Sequence, residues 1–183
     1  MEDISLHILD IAENALKAAA TRIEIRIDED LGQDLLKLQI IDNGRGMDED
    51  MVKSVTDPFV TSRTERRIGL GLPLLAEAAN MSGGNIRINS LPGTKTTIDV
   101  TFVHSNIDRK PLGDIGKTLI MLISGNPEID FKYCHRINSN EYCLDTMALK
   151  EHLQEVPMNH PEVIKLIRED INQGLNELGV VFY

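Results

Sequence analysis

Asp42-Asn43-Gly44-Arg45-Gly46-Met47 puts a carboxylate directly after the apolar pair Ile40-Ile41, with two glycines at alternate positions behind it. An aspartate fixed at a strand end can accept a hydrogen bond from an exocyclic amine, and glycines just beyond it let backbone approach a flat ligand closely. A second set, Asp10, Asn14 and Lys17, follows i, i+4, i+7 spacing, which lines up a carboxylate, an amide and an ammonium along one face of a helix. Two further blocks carry glycines at the ends of regular segments: Gly69-Leu70-Gly71-Leu72 and Gly93-Thr94-Lys95-Thr96-Thr97. Each block alone also occurs as an ordinary turn or as the solvated side of a helix. Their order and distances along one chain are what give them weight.

These groups need elements to position them. Ser5 to Ala20 reads as a helix, with Leu6, Leu9, Ala12 and Leu16 as its apolar stripe. Ile23, Ile25 and Ile27 alternate with Arg22, Glu24, Arg26 and Asp28, the mark of a half-buried strand. Leu36, Leu38 and Ile40 repeat the pattern and deliver Asp42. A short helix is expected from Asp48 to Val55. The polar stretch from Asp57 to Ile68, rich in hydroxyls and arginines, reads as a long mobile loop of the kind that forms lids. A second helix is expected from Gly69 to about Ser82, with Pro73 in its first turn and Gly83-Gly84 ending it. Ile86 and Ile88, then Ile98, Val100 and Phe102, give two more alternating strands. Four strands with one apolar face each predict an α+β two-layer sandwich, helices on one side of the sheet and water on the other.

The first unit is expected to end near residue 103. Residues 104–183 read as a small C-terminal α/β unit: a linker to Leu112, a helix to Ser124, a hairpin turning at Asn138-Ser139, and two further helices. Cys134 and Cys143 would face one another across that hairpin with His135 nearby, which makes metal or redox roles conceivable. Two buried, reduced thiols are the expectation. Gly113-Asp114-Ile115-Gly116-Lys117-Thr118 ends like a phosphate-binding P-loop, but Pro111 stands where that motif requires its first glycine, so a capped helix start is expected.

Composition bounds the rest. The 183 residues carry a formal net charge of −10, which argues against general affinity for nucleic acid. No apolar run approaches the roughly 20 residues needed to cross a bilayer, and Met1-Glu2-Asp3 lacks the basic start of a signal peptide. A cytoplasmic protein with no membrane contact is expected. The sequence leaves a dimer open.

From Leu6 to Phe102 the four blocks resemble, in order and spacing, the N box and the three glycine boxes of the GHKL superfamily of ATPases, which includes gyrase-type ATPases, histidine kinases, MutL and the anti-sigma serine kinases. The stretch from Asp57 to Arg63 also resembles the lid entry of histidine kinases. The resemblance implies a Bergerat-type ATP-binding fold, with a mixed and mostly antiparallel sheet, and ATP and Mg²⁺ as ligands. It implies that Asp42 accepts from the adenine amino group, that Gly44, Gly46 and Met47 line the base, and that Thr96 contacts its edge. Asn14 would be the Mg²⁺ ligand and Lys17 a phosphate partner. Gly69, Leu70, Gly71 and Leu72 would bring backbone N–H groups and a helix N-terminus to the triphosphate. Arg63 and Arg67, with Arg66, would close over it. Asp10 is the candidate catalytic residue: it stands where gyrase-type and anti-sigma members carry a glutamate base, one methylene longer. Lys95 replaces a glycine usual in the last block.

No histidine in the chain is followed by the acidic residue of an orthodox phosphoacceptor, and little sequence precedes the first block, so a complete sensor kinase is not expected. Three readings fit: a stand-alone ATP-binding module that phosphorylates or is regulated with a protein partner, a slowly hydrolysing conformational switch, and a non-catalytic nucleotide sensor. Leu6 to Asn14 also resembles small ATP-binding proteins encoded beside iron-hydrogenase subunits, which would link such a module to a redox complex.

Overall fold

The computed structural model describes residues 2–56 and 71–180. The elements run α1 (Ile4–Lys17), β1 (Arg22–Asp30), β2 (Leu35–Asp42), α2 (Glu49–Thr56), α3 (Gly71–Met81), β3 (Asn85–Leu91), β4 (Lys95–Val103), α4 (Ile115–Gly125), β5 (Asp130–Ile137), β6 (Asn140–Asp145), α5 (Thr146–Leu153) and α6 (Pro161–Leu178). The stretch expected as a lid, residues 57–68, lies outside the described residues.

Alternation along the strands decides the architecture. Ile23, Ile25 and Ile27 on β1, Leu36, Leu38 and Ile40 on β2, and Ile98, Val100 and Phe102 on β4 are all buried on one face. Burying each such side chain contributes about 1.5–3 kcal/mol. The six strands form one sheet in the order β3-β4-β2-β1-β5-β6. Neighbours pair antiparallel except β1 with β5, which run parallel. Over the apolar face lie α3, α1, α4 and α6, each packed on the next. The opposite face is polar and laced with ion pairs, Arg22 and Arg26 to Glu24 and Arg136 to Asp28. The α+β two-layer architecture expected from the strand pattern is the one observed.

The sheet runs across the boundary expected at residue 103. The connector after β4 is tied back to the first unit: His104 N donates to Asp34 O, and the backbone of Ile4 and Ser5 donates to Pro111 O and Leu112 O. β5 then pairs along the whole length of β1, from Arg22↔Asp130 to Glu29↔Ile137. One contiguous apolar cluster extends from Ile4 to Val180. The P-loop-like segment is a helix start, with the Asp114 carboxylate accepting from Lys117 N.

Two expectations are corrected. The apolar stripe of α1 is centred on Ile4, Ile8, Ile11, Ala12 and Ala15; of the expected stripe Ala12 is buried, Leu9 and Leu16 are half-buried against the core, and Leu6 is 41% exposed. Both stripes satisfy helical spacing; contact with α3, α4 and β2 selects the isoleucine side. Cys134 and Cys143, expected as buried reduced thiols, are joined in a disulfide. Tyr133 and His135 take the core positions of β5, so strand period sends Cys134 to the open face and separates it from His135. The hairpin places Cys143 directly opposite, with Cα atoms 4.2 Å apart.

One polar group breaks the core pattern. Glu29 sits on the apolar face of β1, and its carboxylate accepts from His135 Nε2 at 2.7 Å and is paired with His104 Nε2 at 2.6 Å. The Tyr133 hydroxyl closes the network on His135 Nδ1 at 2.9 Å. Burial pushes the Glu29 carboxyl up, and the two histidine hydrogen bonds outweigh it, leaving its pKa below the ordinary 4.5. A depressed carboxylate contributes stability above its unfolded pKa that is lost as pH falls through the folded value. Glu29→Gln is therefore expected to flatten the acid limb of the stability curve below about pH 4.5, read by urea unfolding at stepped pH. An unchanged limb would show that the network carries no pH-linked stability. Because β1 is shared, residues 2–180 are also expected to unfold in one calorimetric transition; two resolved transitions would separate the units.

Candidate functional site

The glycine loop after β2 is held open by what its residues bind. Asn43 Oδ1 accepts from Thr21 N and Arg22 N, both at 2.8 Å, and Asn43 Nδ2 donates to Thr21 Oγ1. Arg45 N donates to Ala18 O at the end of α1, and Gly93 N in the β3–β4 turn donates to Arg45 O. Met47 N donates to Ser90 Oγ, which also pairs with Thr96 Oγ1 at 3.0 Å. The loop is thereby clamped between α1 on one side and the β3–β4 hairpin on the other. Two glycines are required by this fit. A Cβ on Gly44 would stand 2.8 Å from Asp42 Oδ1 and 2.9 Å from Ala18 O. Gly46 has φ +66°, and a Cβ there would stand 2.4 Å from Leu91 O.

Between these walls lies a cavity. Its floor is Asp42 with Thr96, its register partner on β4, and Ile98. Ile11, Asn14, Ala15, Lys17 and Ala18 of α1 form one wall, while Arg45, Gly46, Met47, Met51 and Leu72 complete the rim. Asp42 is 7% exposed, and burial raises its pKa above 3.8 despite the opposing hydrogen bond from Gly44 N to Oδ1 at 2.8 Å. Among the described residues no other hydrogen bond reaches that carboxylate. Its second oxygen is thus an acceptor with capacity left, beside an apolar wall.

A second polar group edges the same cavity. The Asp10 carboxylate accepts from Asn14 Nδ2 at 3.1 Å, which assigns the amide so that Asn14 Oδ1 is left as an acceptor. Asp10 lies under the first residue of α3, where a Cβ on Gly71 would come within 1.8 Å of Asp10 Oδ2. The buried ring of His7 hydrogen-bonds the backbone of Gly71, and burial keeps its pKa below 6.5. Among the described residues His7 Nδ1 has no hydrogen-bond partner. Lys17 is largely exposed and, among the described residues, makes a 3.7 Å surface pair to Glu13, a weak contact that lets its ammonium swing toward the rim.

Of the residues singled out by sequence, Asn14, Lys17, Asp42, Gly46, Met47, Leu72 and Thr96 meet around this one cavity. Gly44 packs behind the floor, and Asp10 and Gly71 form a close contact beside it. Arg63, Arg67, Gly69 and Leu70 lie outside the described residues. Ile11, Ala15, Ala18, Arg45, Met51 and Ile98 line the cavity without having been expected. The helical three spared a usable signal, since Ile11, Ala15 and Ala18 stand at i, i+4 and i+7 beside Asn14.

Residues 2–106 match the family model described as histidine kinase-, DNA gyrase B- and HSP90-like ATPase. The chain belongs to this ATPase family. Among curated relatives, the signal transduction histidine-protein kinase AtoS of Escherichia coli K12 is 38% identical over 91 residues, 49% of this chain and 15% of that protein. The sensory histidine kinase/phosphatase NtrB of Rhodobacter capsulatus is 31% identical over 103 residues, 51% of this chain and 29% of that protein. The chain therefore spans less than a third of these kinases. Among solved structures, the Aquifex aeolicus MutL ATPase domain complexed with ADP superposes with a TM-score of 0.53 at 19% identity, over 85% of this chain and 68% of that one. That span reaches well past the family match into the C-terminal part, so the ATPase-family likeness in fold includes strands or helices after residue 106.

The clamp on the glycine loop yields a prediction. Gly46→Ala forces a side chain into left-handed backbone and against Leu91 O, and is expected to lower stability by about 1–3 kcal/mol in urea unfolding. A neutral result would mean the loop relaxes freely.

Proposed function

We propose that this ATPase-family chain binds ATP with Mg²⁺ in the cavity under α1 and acts with a protein partner, to which the γ-phosphoryl group is passed or whose activity it regulates. The observation that carries the reading is the half-satisfied carboxylate of Asp42 on the cavity floor. An adenine amino group supplies the donor that its open oxygen lacks. Guanine presents a carbonyl at that position and would set an acceptor against a carboxylate. Thr96, on the adjoining strand position, supports the edge of the base, and Met47, Met51 and Leu72 cover it.

The donor set fits a hard cation as well. Mg²⁺ is ordinarily held by one or two protein oxygens plus phosphates and water. Asn14, with its nitrogen committed to Asp10, would hold it through Oδ1, and the ion would supply positive charge to offset that of the phosphates. Lys17 adds charge at the same rim, and Gly71 and Leu72, at the start of α3, turn a helix N-terminus toward the phosphates. Asp10 acts here as a positioning residue: its carboxylate is committed to Asn14 and pressed beneath Gly71. A water nucleophile needs a base within hydrogen-bond reach, so the isolated chain would hydrolyse ATP slowly and a partner would supply the acceptor. The continuity of β1 with β5 favours a second reading, in which nucleotide state is read out through residues 104–180 as a conformational switch.

Four outcomes are expected. ATP at about 100 times its dissociation constant should stabilise the protein by roughly 2.7 kcal/mol in thermal unfolding, with GTP and CTP giving little; equal shifts for all three would overturn the adenine assignment. Asp42→Asn should weaken ATP about 10- to 100-fold by calorimetry and leave the nucleotide-free protein at least as stable at pH 7, since a buried carboxylate is removed. Asn14→Ala should bind ATP equally with and without EDTA; retained Mg²⁺ dependence would remove the metal role. With γ-labelled ATP, the chain alone should release phosphate slowly, and rapid release would favour the switch over the partner kinase.

A further inference from the structure

Outside the nucleotide cavity, the described residues bring reactive sulfur to one place. The Cys134–Cys143 disulfide lies on the open face of the sheet, between β5 and the edge strand β6. Its two ends differ. Cys143, on the edge strand, is exposed, and Cys134, one strand further in, is half-buried. Their surroundings differ in charge as well. On the same face, Cys134 is flanked along β5 by Lys132 and Arg136, and its register partner on β1 is Arg26. Cys143 is flanked along β6 by Glu141 and Asp145, and the Glu141 carboxylate lies within 4.8 Å of both sulfurs.

We propose that this disulfide is a thiol–disulfide exchange site, with Cys143 the sulfur attacked and Cys134 the leaving group. An incoming thiolate reaches the exposed Cys143 Sγ on the sheet edge without displacing any helix. A new S–S bond forms between the incoming sulfur and Cys143, and the Cys134–Cys143 bond breaks, with its electron pair leaving on Cys134. Arg26 and Arg136 share their charge with Glu24 and Asp28, so access sets the direction of exchange: Cys143 is open to the incoming sulfur, and half-buried Cys134 is the sulfur that leaves. A second thiol then attacks the incoming group's sulfur and frees Cys143 as thiolate. Two thiols are oxidised to a disulfide, the protein disulfide is reduced to two thiols, and the protons of the thiols are balanced by those taken up by Cys134 and Cys143. The reductant is a thiol in small-molecule or dithiol form. The strands stay paired throughout, because the backbone ladder from Lys132↔Asp145 to Ile137↔Asn140 does not depend on the sulfur bond.

The full-length oxidised protein, incubated in glutathione buffers of stepped reduced-to-oxidised ratio and quenched with an alkylating reagent, tests this. Intact mass should show the dithiol form rising through the range that glutathione buffers, with a mixed-disulfide intermediate before it. Peptide mapping should place the glutathione adduct on Cys143 roughly tenfold more often than on Cys134. Dithiothreitol should give full reduction. A disulfide that survives excess glutathione is an inert clip and overturns the proposal, as does an adduct spread evenly or sited on Cys134. The unaltered chain is used, so no result depends on whether a cysteine variant folds.

Discussion

Asp42 is a carboxylate removed from water and, among the described residues, one of its two oxygens is answered. That single incomplete solvation organises the architecture around it. The oxygen that is answered needs Gly44 N, which needs a loop that turns back sharply, which needs a residue without a Cβ where Ala18 O and Asp42 Oδ1 crowd it. The loop in turn needs anchors, and they come from two directions: Asn43 onto the start of β1 and Arg45 onto the end of α1. Strand β2 carries the group into the interior because Leu36, Leu38 and Ile40 bind it to the core. A buried charge of this kind is retained at a cost to the empty protein. It is sustained by the hydrogen bonds that anchor the loop to α1, β1 and the β3–β4 hairpin.

The parts of this design that are local in sequence were legible. The alternation on β1, β2 and β4 declared one apolar face each, and a sheet covered on one side follows. Asp42, Asn14, Lys17 and Thr96 stood out because their blocks carry side-chain type and spacing together. What sequence hid was long-range. Glu29 reads as one more acidic residue at a strand end, and its histidine partners stand 75 and 106 residues away. The parallel pairing of β1 with β5 leaves no local mark, since β5 alternates like any half-buried strand. The stripe of α1 was ambiguous because leucines and isoleucines both recur at helical spacing, and only the neighbouring elements choose between them. That Cys134 and Cys143 stand opposite across the hairpin was readable from the turn, but their burial as reduced thiols was not borne out; the open face on which they lie follows from counting outward from Tyr133.

The same counting separates two kinds of chemistry on one sheet. The helix-covered side holds the cavity, at the end of β2 and the start of β4. The open side carries ion pairs and the disulfide. A sheet is thin, and odd and even positions of one strand belong to different worlds: on β5, His135 is sealed into the Glu29 network while its neighbour Cys134 faces solvent. This division lets residues of opposite requirements sit next to each other in sequence without interference.

The parallel β1–β5 pair has a consequence for how the chain comes into being. On a ribosome, α1, β1 and β2 emerge early and can form a hairpin with its covering helix. One edge of β1 then stays open until residues 130–137 arrive, roughly a hundred residues later, about 5–20 s at ordinary elongation rates. In the finished sheet β1 is an interior strand, apolar on one face and unprotected by proline or a bulge along the edge that β5 will cover. During that interval it is a template for any passing strand. Nascent chains of this protein thus have a defined window of vulnerability, closed by a segment that contributes nothing to the cavity lining.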